Sequence, residues 1–251
     1  MSLVVNEYSD IVNESLSTPE QVAIDRIFDA VKGKRILDIG IGAGRTIGPL
    51  NEVSKNYIGV DYVQEMVDHC RQKHPDVHLE KADGRSMPQF ADKSFDLIVF
   101  ACNGISMVDQ EGRLAILREV KRLLADGGYF LFSTCNRNDP QYNALLTLPE
   151  FQWTANPAKL LVRAARFLGE TIYRAWNRAR YKRHEIITPE YAIVNDRAHH
   201  YRTMLYFISL AEQRKQLAEI GFKPELAVYD LSGAEIKTDS TDGTLTFLIQ
   251  N

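Results

Sequence analysis

The stretch ILDIGIGAGRT at 36–46 places one acid, Asp38, and three glycines, Gly40, Gly42 and Gly44, where a short β-branched apolar run stops. Glycines in that setting let a backbone turn from strand to helix, approach a ligand closely and direct amide N–H groups at it. A second acid, Asp61, ends the run YIGVD about twenty positions after the first glycine, the separation at which a carboxylate holds both hydroxyls of a ribose. A third, Asp83, follows Ala82 and precedes Gly84 in KADG. Taken singly, Asp61 is an exposed carboxylate and Asp83 a turn residue, since Asp-Gly is ordinary turn chemistry. Together with the glycine loop they describe a site for a nucleoside-bearing ligand. The dinucleotide fingerprint G-x-G-x-x-G would need its third glycine at Arg45, so the spacing here is G-x-G-x-G.

Such a site needs strands that end side by side. Apolar runs at 57–62, 77–84, 95–105 and 129–136 follow the first, with amphipathic stretches at 63–74 and 111–128 between them. Strand and helix alternating in this way predict a parallel sheet covered on both faces. A helix over 19–31, capped by Thr18 with Pro19 at its first position, precedes the glycine loop. Helix 111–128 is expected to stop at Gly127-Gly128, and a helix opening at Ser209, with Glu212 completing a capping box, to stop at Gly221. ELAVYDL at 225–231 and TLTFLIQ at 244–250 read as a closing antiparallel pair.

The rhythm breaks over 137–207, read as an inserted lid within a single domain spanning 1–251. Its part 156–184 carries a net charge of +7, while the whole chain has −3 and the remainder therefore −10. Leu161, Ala165, Leu168, Ile172, Ala175 and Ala179 follow helical spacing there, with Arg163, Arg174 and Arg178 around them, which predicts a basic amphipathic helix. Three readings of it stand open: a solvated lid face, a grip on an acceptor bearing phosphate or carboxylate, and shallow docking on anionic lipid. Segments 185–196 and 199–208 alternate as a hairpin or as two extended segments.

With 45% apolar and 25% charged residues in 251, the composition excludes disorder and collagen-like chains. Three cysteines, Cys70, Cys102 and Cys135, without metal spacing indicate neither a disulfide framework nor a metal site. MSLVVNEYSD has neither the basic nor the apolar part of a signal peptide, and no run reaches the ~18 residues of a membrane span, so a cytoplasmic location is expected.

Four pieces in order, ILDIGIGAGRT, IGVDYVQEM, KADGRSMPQFADKSFDLIVFACNGISMV and REVKRLLADGGYFLFST, resemble the class I S-adenosylmethionine-dependent methyltransferases, in the small-molecule branch called methyltransferase type 11 or 25. The resemblance covers roughly 34–136 and the last two strands. It implies an α/β, doubly wound, mostly parallel sheet of seven strands, a Rossmann-like methyltransferase fold, with S-adenosylmethionine as cofactor. Gly40, Gly42 and Gly44 would wrap the cofactor's methionine part, with Asp38 near its ammonium and Arg45 or Thr46 near its carboxylate. Asp61 would hold the ribose, Tyr62 and Met66 flank the adenine, Asp83 accept from its amine, and Ala82 and Gly84 line the ring. Cys102 and Asn103 would border the transferring methyl. Tyr8 resembles a tyrosine that folds over the pocket.

The expected acceptor is a small molecule, a secondary metabolite or saccharide intermediate, methylated on O or N and, given the basic helix, of anionic character. ACNG stands where nucleic-acid amino-methylating enzymes carry a Pro-Pro motif, which argues against nucleic acid. Displacement at a sulfonium needs alignment first and a base only for a protonated nucleophile, with His199 and His200 the candidates. The alternatives are a nicotinamide-dependent oxidoreductase, which lacks its Tyr-x-x-x-Lys here, and a non-catalytic RNA- or lipid-binding module using the basic helix. The oligomeric state is not encoded.

Overall fold

Five apolar runs form five parallel strands, β1 (Ile36–Ile39), β2 (Tyr57–Asp61), β3 (His78–Lys81), β4 (Phe95–Phe100) and β5 (Leu124–Asn136), in the order β3-β2-β1-β4-β5. The computed structural model describes residues 14–142, 148–197 and 200–251. The helices are α1 (Thr18–Val31), α2 (Ile47–Val53), α3 (Gln64–Lys73), α4 (Gln110–Leu123), α5 (Pro157–Tyr181) and α6 (Leu210–Ile220). Alternation along β1 sends Ile36 toward Ile24, Leu50 and Val67 of α1, α2 and α3, and Leu37 and Ile39 toward Leu117 and Leu217 of α4 and α6. The sheet is thus wound on both faces. Its order reverses between β1 and β4, the switch point beyond whose strand ends open α/β sheets bind ligands.

Beyond β5 the sheet branches. β10 (Thr244–Gln250) pairs antiparallel with Tyr129–Cys135 of β5 and with β9 (Ala227–Tyr229), completing the expected seven strands. Three more strands come from the inserted segment: β6 (Ile186–Ile187), β7 (Tyr191–Asn195) and β8 (Met204–Ile208). β7 and β8 form the expected hairpin, closed by Asp196 N–H donating to the Thr203 carbonyl at 2.9 Å. The hairpin is not detached from the sheet, because β5 outruns β4 by several residues. Cys135 and Asn136 at its tip pair in parallel with Phe207 and Ile208 of β8.

Two predicted helix ends move. Ser17, not Thr18, caps α1, its N–H donating to Glu20 at 2.7 Å, and Pro19 takes the second position. α4 begins at an Asp109 cap that accepts from Gly112 N–H and ends at Leu123, four residues before Gly127, because the wholly buried Leu124 already pairs with Phe95. α6 follows expectation, from its Ser209 cap to Gly221 at φ +94°.

Arg113 is a charged residue that lies wholly inside. Arg113 of α4 donates to the Ile105 carbonyl (3.1 Å), Thr134 Oγ1 of β5 (3.0 Å), and Gln213 and Gln216 (3.0 Å) of α6. Its guanidinium also stacks over the Tyr206 ring of β8, 4.5 Å from the centroid. Among the described residues no carboxylate takes part, and burial pulls its pKa down to about 10, which leaves it cationic at neutral pH. Removing it strands several buried acceptors, so Arg113→Ala is expected to lose on the order of 3 kcal/mol in urea unfolding. A loss under about 1 kcal/mol would show that the surrounding amides satisfy one another without it.

Candidate active site

The turn after β1 takes Gly40, Gly42 and Gly44 through left-handed backbone that favours glycine. Gly40 has φ +71°, and a Cβ there would come within 2.8 Å of the Phe100 ring at the end of β4. Gly44, at φ +93°, would meet Cys70 Sγ at 3.1 Å. Gly42, also left-handed, donates its N–H to Asp61 Oδ2 at 2.9 Å, while Val63 N–H donates to Oδ1 at 2.9 Å. Each oxygen of the buried Asp61 carboxylate keeps a second lone pair.

A cavity of about 360 Å³ opens over these strand ends, lined by Gly40, Asp61, Tyr62, Ala82, Asp83 and Gly84 of the expected set. Arg85, Phe100, Met107 and Val108 also line it, residues that carried no signal in the sequence. Met66, in the first turn of α3, is buried and is not among the residues lining it. Asp83 lies at the expected wall, but Arg85 grips it through Nε and Nη2 at 2.6–3.0 Å, and this pairing holds its carboxyl below the ordinary carboxylate range. A donor from an adenine would have to share those oxygens with Arg85.

Asp38 alternates onto the side of β1 facing α1, fully buried, with Oδ2 accepting from Thr46 Oγ1 at 2.5 Å and Tyr57 OH at 2.8 Å. Its Oδ1 is buried without a partner. Burial raises its pKa to about 6, against the lowering effect of those two hydroxyls. Arg45 donates to both oxygens of buried Glu20 at 2.8 Å, to the Ser15 carbonyl at 2.7 Å and to Cys102 Sγ at 2.9 Å. Burial alone would raise the Glu20 pKa; the Arg45 hydrogen bonds and charge outweigh it and hold it low. Thr46 and Arg45 therefore already serve Asp38 and Glu20 rather than standing open to a carboxylate.

After β4 the chain passes through Cys102 at φ +52° and Asn103 at φ +56°, left-handed conformations that cost non-glycine residues roughly 1–2 kcal/mol each. Asn103 is held by its N–H donating to Ser133 Oγ (2.8 Å) and its Nδ2 to Thr244 Oγ1 (3.0 Å), with Oδ1 buried and unpartnered. Both residues line a second cavity of about 310 Å³, walled by Asp139, Tyr142, Asn195, Asp196, Tyr201 and Phe207. Met107 borders both cavities, so the two adjoin. Asn195 Nδ2 donates to the Tyr201 and Thr203 carbonyls, both 2.9 Å away, and its Oδ1 is buried without a partner. His200 does not line this cavity; its Nδ1 lies 3.4 Å from Glu170 of α5. His199 and Tyr8 lie outside the described residues. No residue of α5 is among those lining the cavity.

The comparisons with known proteins agree with this geometry. Residues 36–128, which hold the glycine loop, Asp61, Asp83 and Asn103, match the family model described as a methyltransferase domain. Residues 36–128 thus carry a methyltransferase domain. This methyltransferase is 29% identical to a fatty-acid O-methyltransferase of Mycolicibacterium smegmatis over 57% of this chain and 50% of that one. It is 27% identical to a demethylmenaquinone methyltransferase of Renibacterium salmoninarum over 47% and 50%. It thus spans about half the length of the curated relatives it matches. A solved S-adenosylmethionine-dependent methyltransferase from Clostridium acetobutylicum shares the fold, with TM-score 0.62 over 98% of this chain and 94% of that one at 15% identity.

S-adenosylmethionine is the cofactor of this methyltransferase, and the residues present fit it. The Gly40 cradle excludes any Cβ, Asp61 keeps lone pairs for ribose hydroxyls, and Asp38 Oδ1 is an orphaned anionic acceptor suited to an ammonium group. Because the fold raises the Asp38 pKa to about 6, its contribution to stability is fully present below about pH 4 and declines as the pH rises through 6. The decline amounts to on the order of 3 kcal/mol. Urea midpoints of Asp38→Asn should lack this component, and parallel pH profiles for wild type and variant would mean that Asp38 titrates normally.

Proposed function

We propose that this methyltransferase moves the methyl group of S-adenosylmethionine to a hydroxyl or amine of a small-molecule acceptor held in the cavity between Asn103 and Asn195. One observation carries the reading: Asn195 is among the residues lining this cavity, and its Oδ1 is buried without a donor. The orientation of that amide is dictated chemically, because its Nδ2 faces two carbonyls that can only accept. Leaving a buried acceptor unpaired costs about 1–3 kcal/mol, so the fitting guest brings O–H or N–H groups. Asn103 Oδ1, orphaned on the same wall, makes the same demand. The relatives named as acting on fatty acids and demethylmenaquinone support a small-molecule acceptor.

Bound S-adenosylmethionine supplies an activated methyl on a sulfonium. The chain's residues supply alignment and a dry enclosure. Asp61, with Gly42 and Val63 locking its carboxylate, orients the ribose, and Met107 stands where the cofactor and acceptor cavities adjoin. Asn103 and Asn195 accept the hydrogen of the nucleophile and so aim its lone pair, while Tyr201, Leu205 and Phe207 exclude water. Asp139 and Asp196 are the carboxylates of that wall, and neither must take a proton if the acceptor arrives as a neutral amine or loses its proton after attack.

Asp61→Ala is expected to weaken S-adenosylmethionine and S-adenosylhomocysteine by about 1.5–3 kcal/mol in titration calorimetry. Unchanged affinity would remove Asp61 from the site. With an acceptor panel, S-adenosylhomocysteine release should track free hydroxyl or amine groups and vanish when they are blocked by prior methylation. Turnover of a carbon nucleophile lacking both groups would overturn the acceptor assignment.

A further inference from the structure

α5 is an amphipathic helix turned inside out. Its buried residues are polar, Asn177 and Arg178. Asn177 Nδ2 donates to the His200 carbonyl at 3.0 Å, and Arg178 pairs with Glu185, which also accepts from Asn195 N–H. Arg174 holds Glu170 at 2.7 Å, and Arg163 donates to the carbonyls of Gln152 and Trp153. Opposite these, Leu161, Val162, Leu168, Ile172 and Trp176 are 56–74% exposed, with the exposed Ala158, Ala165 and Ala179 between them at helical spacing. The stripe runs the length of a 25-residue helix, about 37 Å. A soluble helix ordinarily turns this stripe to the core, and an exposed apolar patch of this extent marks a contact surface.

Charge says what covers it. Lys159, Arg166 and Arg180 are exposed beside the stripe, and Lys182 follows its end, with no ion-pair partner among the described residues. The single acid of the helix, Glu170, lies on the protein side, bound to Arg174. Two copies packed stripe to stripe would bring cation to cation with no carboxylate between. Trp176, Trp153 just before the helix and Arg180 stacked on the Trp176 ring at 5.2 Å add the aromatic and snorkelling groups suited to a headgroup layer. Among the described residues no helix is long and apolar enough to cross a membrane.

We infer that α5 lies flat on an anionic phospholipid bilayer, its stripe inserted among the outer acyl chains and Lys159, Arg166 and Arg180 among the headgroups. The docking is a property of this helix and does not depend on which acceptor is methylated. It leaves Arg174 and Arg178, which face the protein, out of the lipid contact.

The chain reports on itself, since Trp153 and Trp176 are its two tryptophans. Mixed with vesicles of phosphatidylglycerol and phosphatidylcholine in equal parts, the protein should co-sediment and its fluorescence should shift to the blue. Pure phosphatidylcholine should leave both unchanged. Leu168→Asp with Ile172→Asp, and separately Lys159→Glu with Arg166→Glu, should each weaken vesicle binding by roughly tenfold or more. Circular dichroism and S-adenosylhomocysteine affinity should stay at wild-type values in both, which shows that the variants fold. The proposal is overturned by absence of binding to the anionic vesicles, by equal binding to neutral ones, or by wild-type binding of the Asp pair. It is overturned equally if sedimentation finds a dimer that the Asp pair dissolves, because the stripe is then an interface between copies.

Discussion

A cation without a carboxylate holds this molecule together. The guanidinium of Arg113 is wholly enclosed, and an ionised group moved out of water is tolerated only if polar atoms replace its hydration. The replacements come from the chain after β4 through Ile105, from β5 through Thr134, from α6 through Gln213 and Gln216, and from β8 through the Tyr206 face. Tyr206 OH in turn donates to Gln110 at 2.6 Å, at the start of α4. One side chain thus ties the inserted hairpin, the central sheet and the helices behind it into a single arrangement. It also fixes the backbone two residues before Met107, where the two cavities adjoin.

The cofactor side rests on backbone geometry and buried acids more than on open donors. Gly42 N–H and Asp61 join the loop after β1 to the end of β2, so the glycine turn and this carboxylate form one unit. Glu20 and Arg45 neutralise each other beneath Cys102, and the sharp path through Cys102 and Asn103 is held by Ser133 and Thr244 from β5 and β10. Strain at that path persists because bonds from two other strands over-determine it. Oxygens of Asp38, Asn103 and Asn195 are left buried without a partner.

The inserted segment shows why amphipathicity is not orientation. Periodicity identifies an apolar stripe on α5 but not which way it faces. Asn177 and Arg178 find buried partners in His200 and Glu185, and these long-range bonds turn the polar side inward. The apolar side faces out by exclusion, and Arg163, Arg174 and Arg178 bond to the protein itself.

The sequence by itself determined the alternation of strands and helices, the doubly wound sheet, the glycine turn and the acid ending β2. These are local patterns, in which a period, a turn residue or a strand end within a few positions dictates the outcome. Tertiary structure alone decided the cavity wall formed by Arg85, Phe100, Met107 and Val108, the branching of the sheet at the tip of β5, and the burial of Met66. It also decided that Arg45 faces Glu20, that His200 faces Glu170, and that Arg113 is an internal cation held by neutral partners. Each depends on partners far apart in the chain: Arg113 and Gln216 are 103 positions apart, Asn103 and Thr244 are 141. No spacing rule reaches that far, because such contacts are chosen by which strands and helices pack together, through burial and the need of every enclosed polar atom for a partner.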